Sequence, residues 1–313
     1  MTVIIIVLSG GKKPTKCGVK KFSALSDLYG HPKVWGSFIF LKGEKAMSSN
    51  QEKILQKYGD GTKENRRAEK SRSGALEFRY TKQHLEGFIK KTDRVLEVGC
   101  ATGYYGMYYA DKCREYVGID IVPSQIEIFQ SKINEAELTN VSCRVGDATD
   151  LSKIPDRSFD VVLCLGPIYH LPPAEQNKTL AECSRVCRDG GVVAIAYLNS
   201  VGEYAGCCVH DEWRTHYPNE RANELVLKQF VDDVHEGVFF FTMPEHIEND
   251  AKRYGLTKIK NLGTHFTTMM SVVNNMTDEQ FALLEPLYNQ MVSYESCTGM
   301  SNHALLICRK ESK

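Results

Sequence analysis

The stretch Val95-Leu96-Glu97-Val98-Gly99-Cys100-Ala101-Thr102-Gly103, followed by Tyr116-Val117-Gly118-Ile119-Asp120, constrains this chain more than any other segment. An apolar strand runs into a turn of small residues, a helix follows, and a second short strand ends on an acid. This is the layout of a nucleoside-binding βαβ unit, in which small residues let the backbone approach the ligand and the terminal acid accepts from ribose hydroxyls. A dinucleotide fingerprint, G-x-G-x-x-G, does not fit, because it needs glycine where the chain has Ala101 and Tyr104. Alanine adds one methyl group at 101, which a tight turn accepts if that residue keeps φ negative. Glu97 stands two residues before Gly99, and a second acid, Asp120, follows 23 residues after Glu97.

Strand-like runs at 94–98, 116–120, 141–145, 159–165 and 192–198 alternate with helical stretches at 103–112, 123–136 and 174–188. Alternation with short connections predicts a parallel sheet covered by helices on both faces, a doubly wound α/β fold. Arg185-Val186-Cys187-Arg188-Asp189-Gly190-Gly191 is expected to end the helix before the fifth strand with a glycine stop. Residues 200–235 are polar and aromatic and too long for a plain connection, so a lid or substrate-binding insertion is expected there. Beyond it come Gly237-Val238-Phe239-Phe240-Phe241, a helix at 244–254, a strand at 256–260, a helical stretch at 277–292 and a final apolar run within 301–310. Residues 1–46 show no sustained period of 2 or 3.6 and are expected to lie outside the core as a poorly ordered extension; Met47 is a candidate start for a domain covering 47–313.

Net charge is zero, but residues 1–72 carry 15 Lys/Arg against 6 Asp/Glu, a balance of +9. Such a segment can serve an anionic partner, although a solvated extension is the simpler expectation. The opening Met1–Leu8 lacks a basic region and a cleavage-like site, and falls far short of the roughly 20 residues needed to span a bilayer, so no membrane association is expected. Eleven cysteines without a secretory leader point to free thiols in a reducing cytoplasm. Neither Cys183-x-x-x-Cys187 nor Cys207-Cys208 has zinc-site spacing, and no metal is expected.

The Glu97–Gly103 segment resembles motif I of the class I S-adenosylmethionine-dependent methyltransferases, E/D-x-G-x-G-x-G, with Ala101 as the one departure. The resemblance implies a Rossmann-like, mostly parallel seven-stranded sheet with a final antiparallel strand, and S-adenosyl-L-methionine as cofactor. It also implies a place for each residue at the carboxyl ends of the strands. Gly99, Cys100, Ala101 and Gly103 form the first turn, and Glu97 accepts from the cofactor's ammonium. Asp120 accepts from the two ribose hydroxyls, and Ile121 packs on the adenine. After the third strand Asp147 takes the adenine amino group and the Ala148 amide a ring nitrogen; Leu165, after the fourth, belongs to the same site. Ser73–Thr81 is similar to a G-x-L-E-F-x-x-T segment, and Leu165-Gly166-Pro167-Ile168-Tyr169-His170-Leu171 to an L-G-P-L-Y-H-L motif, of one bacterial group of small-molecule methyltransferases. The phenylalanines at 239–241 and Ser301-Asn302-His303 also recur there, so that the likeness spans roughly residues 65–310.

Methyl transfer from a sulfonium is an in-line displacement, which asks the protein to align the acceptor and, for a hydroxyl, to remove a proton. Tyr169 and His170 follow the fourth strand, where an acceptor would meet the methyl group, and His170 is the leading candidate base. A backbone bond at the start of the next helix is its plain structural alternative. His303 would face the same end if the last strand is antiparallel, and His210, Trp213 and His216 in the insertion are candidates to close over a substrate. Transfer to O, N or S of a small molecule is the leading function, in a monomer or homodimer. A nucleic-acid (RNA) methyltransferase is disfavoured, because Leu165-Gly166-Pro167-Ile168 lacks the polar residue that grips a flipped base. A non-catalytic S-adenosylmethionine-binding sensor is the remaining alternative. Cys207-Cys208 alone is thin support for a thiophilic substrate such as arsenite.

Overall fold

The computed structural model describes residues 48–60, 62–210, 214–227 and 237–312. The readings made on residues 1–46, Met47, Trp213 and 228–235 lie outside the described residues.

Seven strands form one sheet in the order β3-β2-β1-β4-β5-β7-β6. They are β1 (Arg94–Val98), β2 (Glu115–Asp120), β3 (Val141–Val145), β4 (Phe159–Cys164), β5 (Cys187–Leu198), β6 (Leu256–His265) and β7 (His303–Lys310). β1 to β5 pair in parallel, and β7 enters antiparallel between β5 and β6. The expected mostly parallel, doubly wound sheet with a reversed final strand is therefore present. Because strand order reverses beside β1, the crevice for a ligand lies at the carboxyl ends of β1, β2 and β4. The reversal of β7 brings its first residue to that same end, where His303 pairs with Leu198 and with His265.

Both faces of the sheet are covered, which is why its central strands read as nearly continuous apolar runs. On one face Leu96, Val98, Val162, Val193, Ile195 and Leu306 pack together; on the other Val95, Val161, Leu163, Ala194, Leu305 and Ile307 do. A third cluster of Leu76, Tyr80, Phe266, Val273, Tyr288 and Val292 joins three helices beside β6. These are α3 (Arg72–Leu85), α10 (Thr267–Asn275) and α11 (Asp278–Ser293). Ser71 caps α3 by accepting from the Gly74 amide. A Cβ on Gly74 would lie 2.9 Å from the Arg67 carbonyl, so glycine there lets the preceding turn, Arg67–Glu69, lie directly on the helix.

The expected glycine stop at 190–191 is corrected. Helix α6 (Pro173–Val186) ends earlier, with Cys187 already extended, and β5 begins at Cys187. The glycines sit in a bulge: Phe159 pairs with Cys187, but Val161 pairs with Val192. A side chain on Gly191 would meet Cys187 Sγ at 2.6 Å and the Asp160 carbonyl at 2.8 Å. The described part of the 200–235 insertion forms α7 (Ser200–Val209) and α8 (Glu220–Leu227). α7 packs tightly beside β7, since a Cβ on Gly202 would fall 2.0 Å from the Ser301 carbonyl. Among the described residues no helix is long and apolar enough to cross a membrane.

Candidate functional site

A cavity of about 150 Å³ opens at the carboxyl ends of β1, β2 and β4. Of the residues named above, Glu97, Gly99, Cys100, Ala101, Asp120, Ile121, Asp147, Ala148, Leu165, Tyr169 and His170 line it, whereas Gly103 and His303 do not. Gly103 instead makes room for a neighbour, because a Cβ there would fall 2.0 Å from the Phe129 ring on α5 (Pro123–Glu135).

The turn after β1 hangs from β2. The Gly99 and Cys100 amides donate to the Ile119 carbonyl at 2.7 and 3.0 Å. Gly99 has φ +77°, and Pro167 occupies the place of its missing side chain, 2.5 Å from where a Cβ would be. Ala101 departs from expectation with φ 46°, in the left-handed region. Its amide donates to Asp120 Oδ2 at 2.8 Å, and this bond draws the turn towards β2 against the cost of the conformation. Asp120 is buried, which raises its carboxyl above the ordinary value, and Oδ1 accepts the Val122 amide at 2.9 Å. The two oxygens of a carboxylate offer about four acceptor sites, more than these amides fill, and so can accept from two adjacent hydroxyls.

Glu97 is 2% exposed and accepts the Tyr116 hydroxyl at 2.7 Å. No basic side chain pairs with it among the described residues, and burial pushes its carboxyl up to about 8. A buried acid without a countercharge at the end of β1 fits a ligand that brings an ammonium. Asp147 Oδ1 accepts the Thr149 amide and hydroxyl, and its Oδ2 accepts the Gln51 side-chain amide at 2.8 Å. The tight turn and three acids, Glu97 and Asp120 at the ends of β1 and β2 and Asp147 just past β3, thus line one cavity.

Tyr169 donates to the Leu165 carbonyl at 3.2 Å and is buried. His170 Nδ1 lies 2.8 Å from the Val238 carbonyl. A carbonyl only accepts, so Nδ1 carries the proton and Nε2 keeps its lone pair. Burial, with the Lys57 and Arg67 charges, lowers the imidazole to about 4 despite the Val238 bond, and it is neutral at pH 7. The backbone bond orients the ring and leaves Nε2 as the acceptor. His303 stands behind the cavity wall, its Nδ1 3.4 Å from Glu77 Oε1 and its ring edge-on to Tyr169 at 5.9 Å, both of which line the cavity. Burial lowers it to about 4 as well.

Sequence reasoning singled out Ser73–Thr81, which brings Glu77 and Phe78 to the cavity, but missed the chain ahead of it. Helix α1 (Ser49–Tyr58) crosses the cavity, with Gln51, Ile54 and Tyr58 in its wall. Asn50 donates to the His170 carbonyl at 2.5 Å, and Ser124 holds the Gly59 carbonyl at 2.7 Å. Arg67 also lines the cavity, paired with Glu64 at 3.1 Å and with Glu77. Burial works to raise Glu77, but Arg67 outweighs it and holds the carboxyl at about 2. The signal available was the Glu64/Arg67 spacing of three within a helix-capable stretch, which by itself also describes a solvated face. Among the described residues no His/Cys/Asp/Glu cluster suits a metal ion.

Residues 95–191 match the family model of a methyltransferase domain. The probable methyltransferase ltbC of Aspergillus luteorubrus is 30% identical over 115 residues, 34% of this chain and 40% of that protein. Ajmaline N-methyltransferase of Rauvolfia serpentina is 37% identical over 111 residues, 34% of this chain and 36% of that one. The chain thus spans about 40% of the length of the curated relatives it matches. A solved Haemonchus contortus phosphoethanolamine N-methyltransferase 2, in complex with phosphomonomethylethanolamine and S-adenosylhomocysteine, superposes with TM-score 0.54 at 16% identity. That match covers 85% of this chain and 61% of the other, and shows the fold.

Proposed function

We propose that this chain, whose residues 95–191 are a methyltransferase domain of the S-adenosylmethionine-dependent kind, transfers a methyl group to a small molecule. The observation that carries the reading is the buried Glu97, without a countercharge among the described residues, facing the same cavity as Asp120 and Asp147. When bound, S-adenosylmethionine supplies an electrophilic methyl group on a sulfonium. Glu97 holds the ammonium end, and Asp120, fixed by two backbone amides, accepts from the ribose. Asp147 and the Ala148 amide take the base, while Leu165 and the Gly99–Ala101 turn exclude water around the reacting centre. Tyr169 shapes the acceptor end, and the unprotonated Nε2 of His170, which the Tyr58 hydroxyl meets at 3.2 Å, takes a proton there. The wall supplied by α1 narrows the cavity to about 150 Å³, which suits a small acceptor, in keeping with a relative whose name is that of an ajmaline N-methyltransferase.

Calorimetry with S-adenosylhomocysteine tests the reading. One site per chain is expected, and D120A should weaken it by about a hundredfold, since two hydrogen bonds to a charged group are lost. No binding at millimolar ligand would overturn the assignment. Binding without methyl transfer to any phenol, amine or thiol would favour the sensor instead.

A further inference from the structure

The Tyr58 hydroxyl lies 3.2 Å from Nε2 of His170. Because Nδ1–H donates to the Val238 carbonyl, Nε2 is the acceptor and Tyr58 the donor. The two residues come from segments 112 positions apart, so local geometry does not force them together. The imidazole sits among aromatic rings: Tyr169 edge-on at 4.7 Å, Tyr58 edge-on at 5.2 Å, and Phe239 tilted at 5.1 Å. Both Tyr58 and His170 line the cavity. A proton-accepting lone pair in an aromatic enclosure is therefore filled by a phenol, carried in on the last residue of α1.

We propose that Tyr58 holds the acceptor's seat, and that the ligand which takes its place is a phenol whose hydroxyl donates to His170 Nε2 as Tyr58 does. This deepens the methyltransferase reading and rests on it. The proton balance selects the class. A neutral amine offers its lone pair without losing a proton first, and a thiol ionises near pH 8.5, whereas a phenol with a pKa of about 10 gains most from a fixed unprotonated imidazole. In the transfer the phenol O–H breaks as the oxygen takes the methyl group and turns strongly acidic, and its proton goes to Nε2. The new O–CH3 bond forms as the CH3–S bond breaks, and that electron pair returns to sulfur, turning the sulfonium into a thioether. The imidazolium then releases its proton to solvent.

The test uses the full chain with histidine labelled in nitrogen-15 and saturated with S-adenosylhomocysteine. Phenol, aniline and thiophenol are titrated separately while the His170 Nε2 resonance is followed. Phenol should shift it saturably, and Y58F, having lost the competing neutral hydrogen bond, should bind phenol about fivefold more tightly. With labelled S-adenosylmethionine the label should leave as the methyl ether. The proposal is overturned if phenol leaves Nε2 unmoved, if Y58F binds phenol more weakly, or if label enters aniline or thiophenol but not phenol. Failure of S-adenosylhomocysteine itself to bind overturns the methyltransferase reading, while a phenol titration of the protein alone still reads the seat.

Discussion

Tyr116 on β2 donates its hydroxyl to Glu97 on β1 at 2.7 Å, and no basic side chain joins them among the described residues. The acid is left in want of a cation, and its proton is the one that a cationic ligand must displace. The folded carboxyl titrates at about 8 against an ordinary value of 4.5. Between those values the folded state holds the extra proton, so Glu97 lowers the stability of the free protein as pH rises from 4.5 to 8. An ammonium ligand reverses the preference. Affinity for S-adenosylhomocysteine should rise about tenfold per pH unit up to pH 8 and then level off. Calorimetry of wild type and E97Q in parallel checks this, and equal pH slopes for the two would count against it.

The left-handed Ala101 carries a strain of about 1 kcal/mol that glycine would not. A101G should therefore raise the melting temperature by roughly 2–4 °C for a domain of this size, as calorimetric scans would show. The Asp120 bond to its amide is kept, so S-adenosylhomocysteine affinity should stay within about twofold.

Arg67 and Glu77 form a partly buried pair, their side chains 33% and 16% exposed. R67M leaves the Glu77 carboxylate without its cation and should cost about 2–3 kcal/mol in urea unfolding at pH 7, a figure reduced for the exposure of the arginine. E77Q leaves Arg67 with Glu64 and should cost about 1 kcal/mol. The folded Glu77 sits at about 2 against 4.5, so the pair's contribution is complete above pH 4.5 and lost as pH falls towards 2. The stability gap between wild type and E77Q should close across that window.

Asp147 holds α1 through Gln51. D147A should speed amide exchange across residues 49–58 by about fivefold to tenfold, the loss of one charge-assisted hydrogen bond, while leaving β1 and β4 protected. Mass-spectrometric hydrogen exchange reads both regions in one experiment. Unchanged exchange in α1 would mean that the helix is held by its other contacts.

Strands whose apolar runs follow from burial on both sheet faces were legible: β1 lies where the pattern placed it, and β2 and β4 differ by one residue. The edge strand β3, with only Val141 buried, also lies where it was placed. Two errors were of backbone chemistry. Ala101 adopts positive φ because Asp120 draws in its amide, a tertiary bond that no local propensity records. Gly190 and Gly191 mark a bulge in β5, since a glycine pair serves a close strand contact as readily as a helix end. At the site, residues on strand ends could be placed from the motif, because a strand end fixes where its side chain emerges. Tyr58 and Arg67 could not: they reach the cavity from segments that carry no motif, brought there by tertiary contacts, Asn50 on His170 and Ser124 on Gly59 for Tyr58 and the turn packed on Gly74 for Arg67. His303 was placed at the right end of the sheet, but Glu77 meets it before the cavity does.

The position of β7 bears on how the chain is made. Among the described residues β6 is the outermost strand on its side and pairs with β7 alone, and 37 residues separate the two in sequence. During synthesis β1 to β5 can pair as soon as they emerge, but β6 must wait, unpartnered, until β7 has also left the ribosome and inserted beside β5. The cofactor turn is thus assembled on a nascent sheet that still exposes one open edge, and the interval before β7 arrives is when this chain is most open to pairing with the wrong partner.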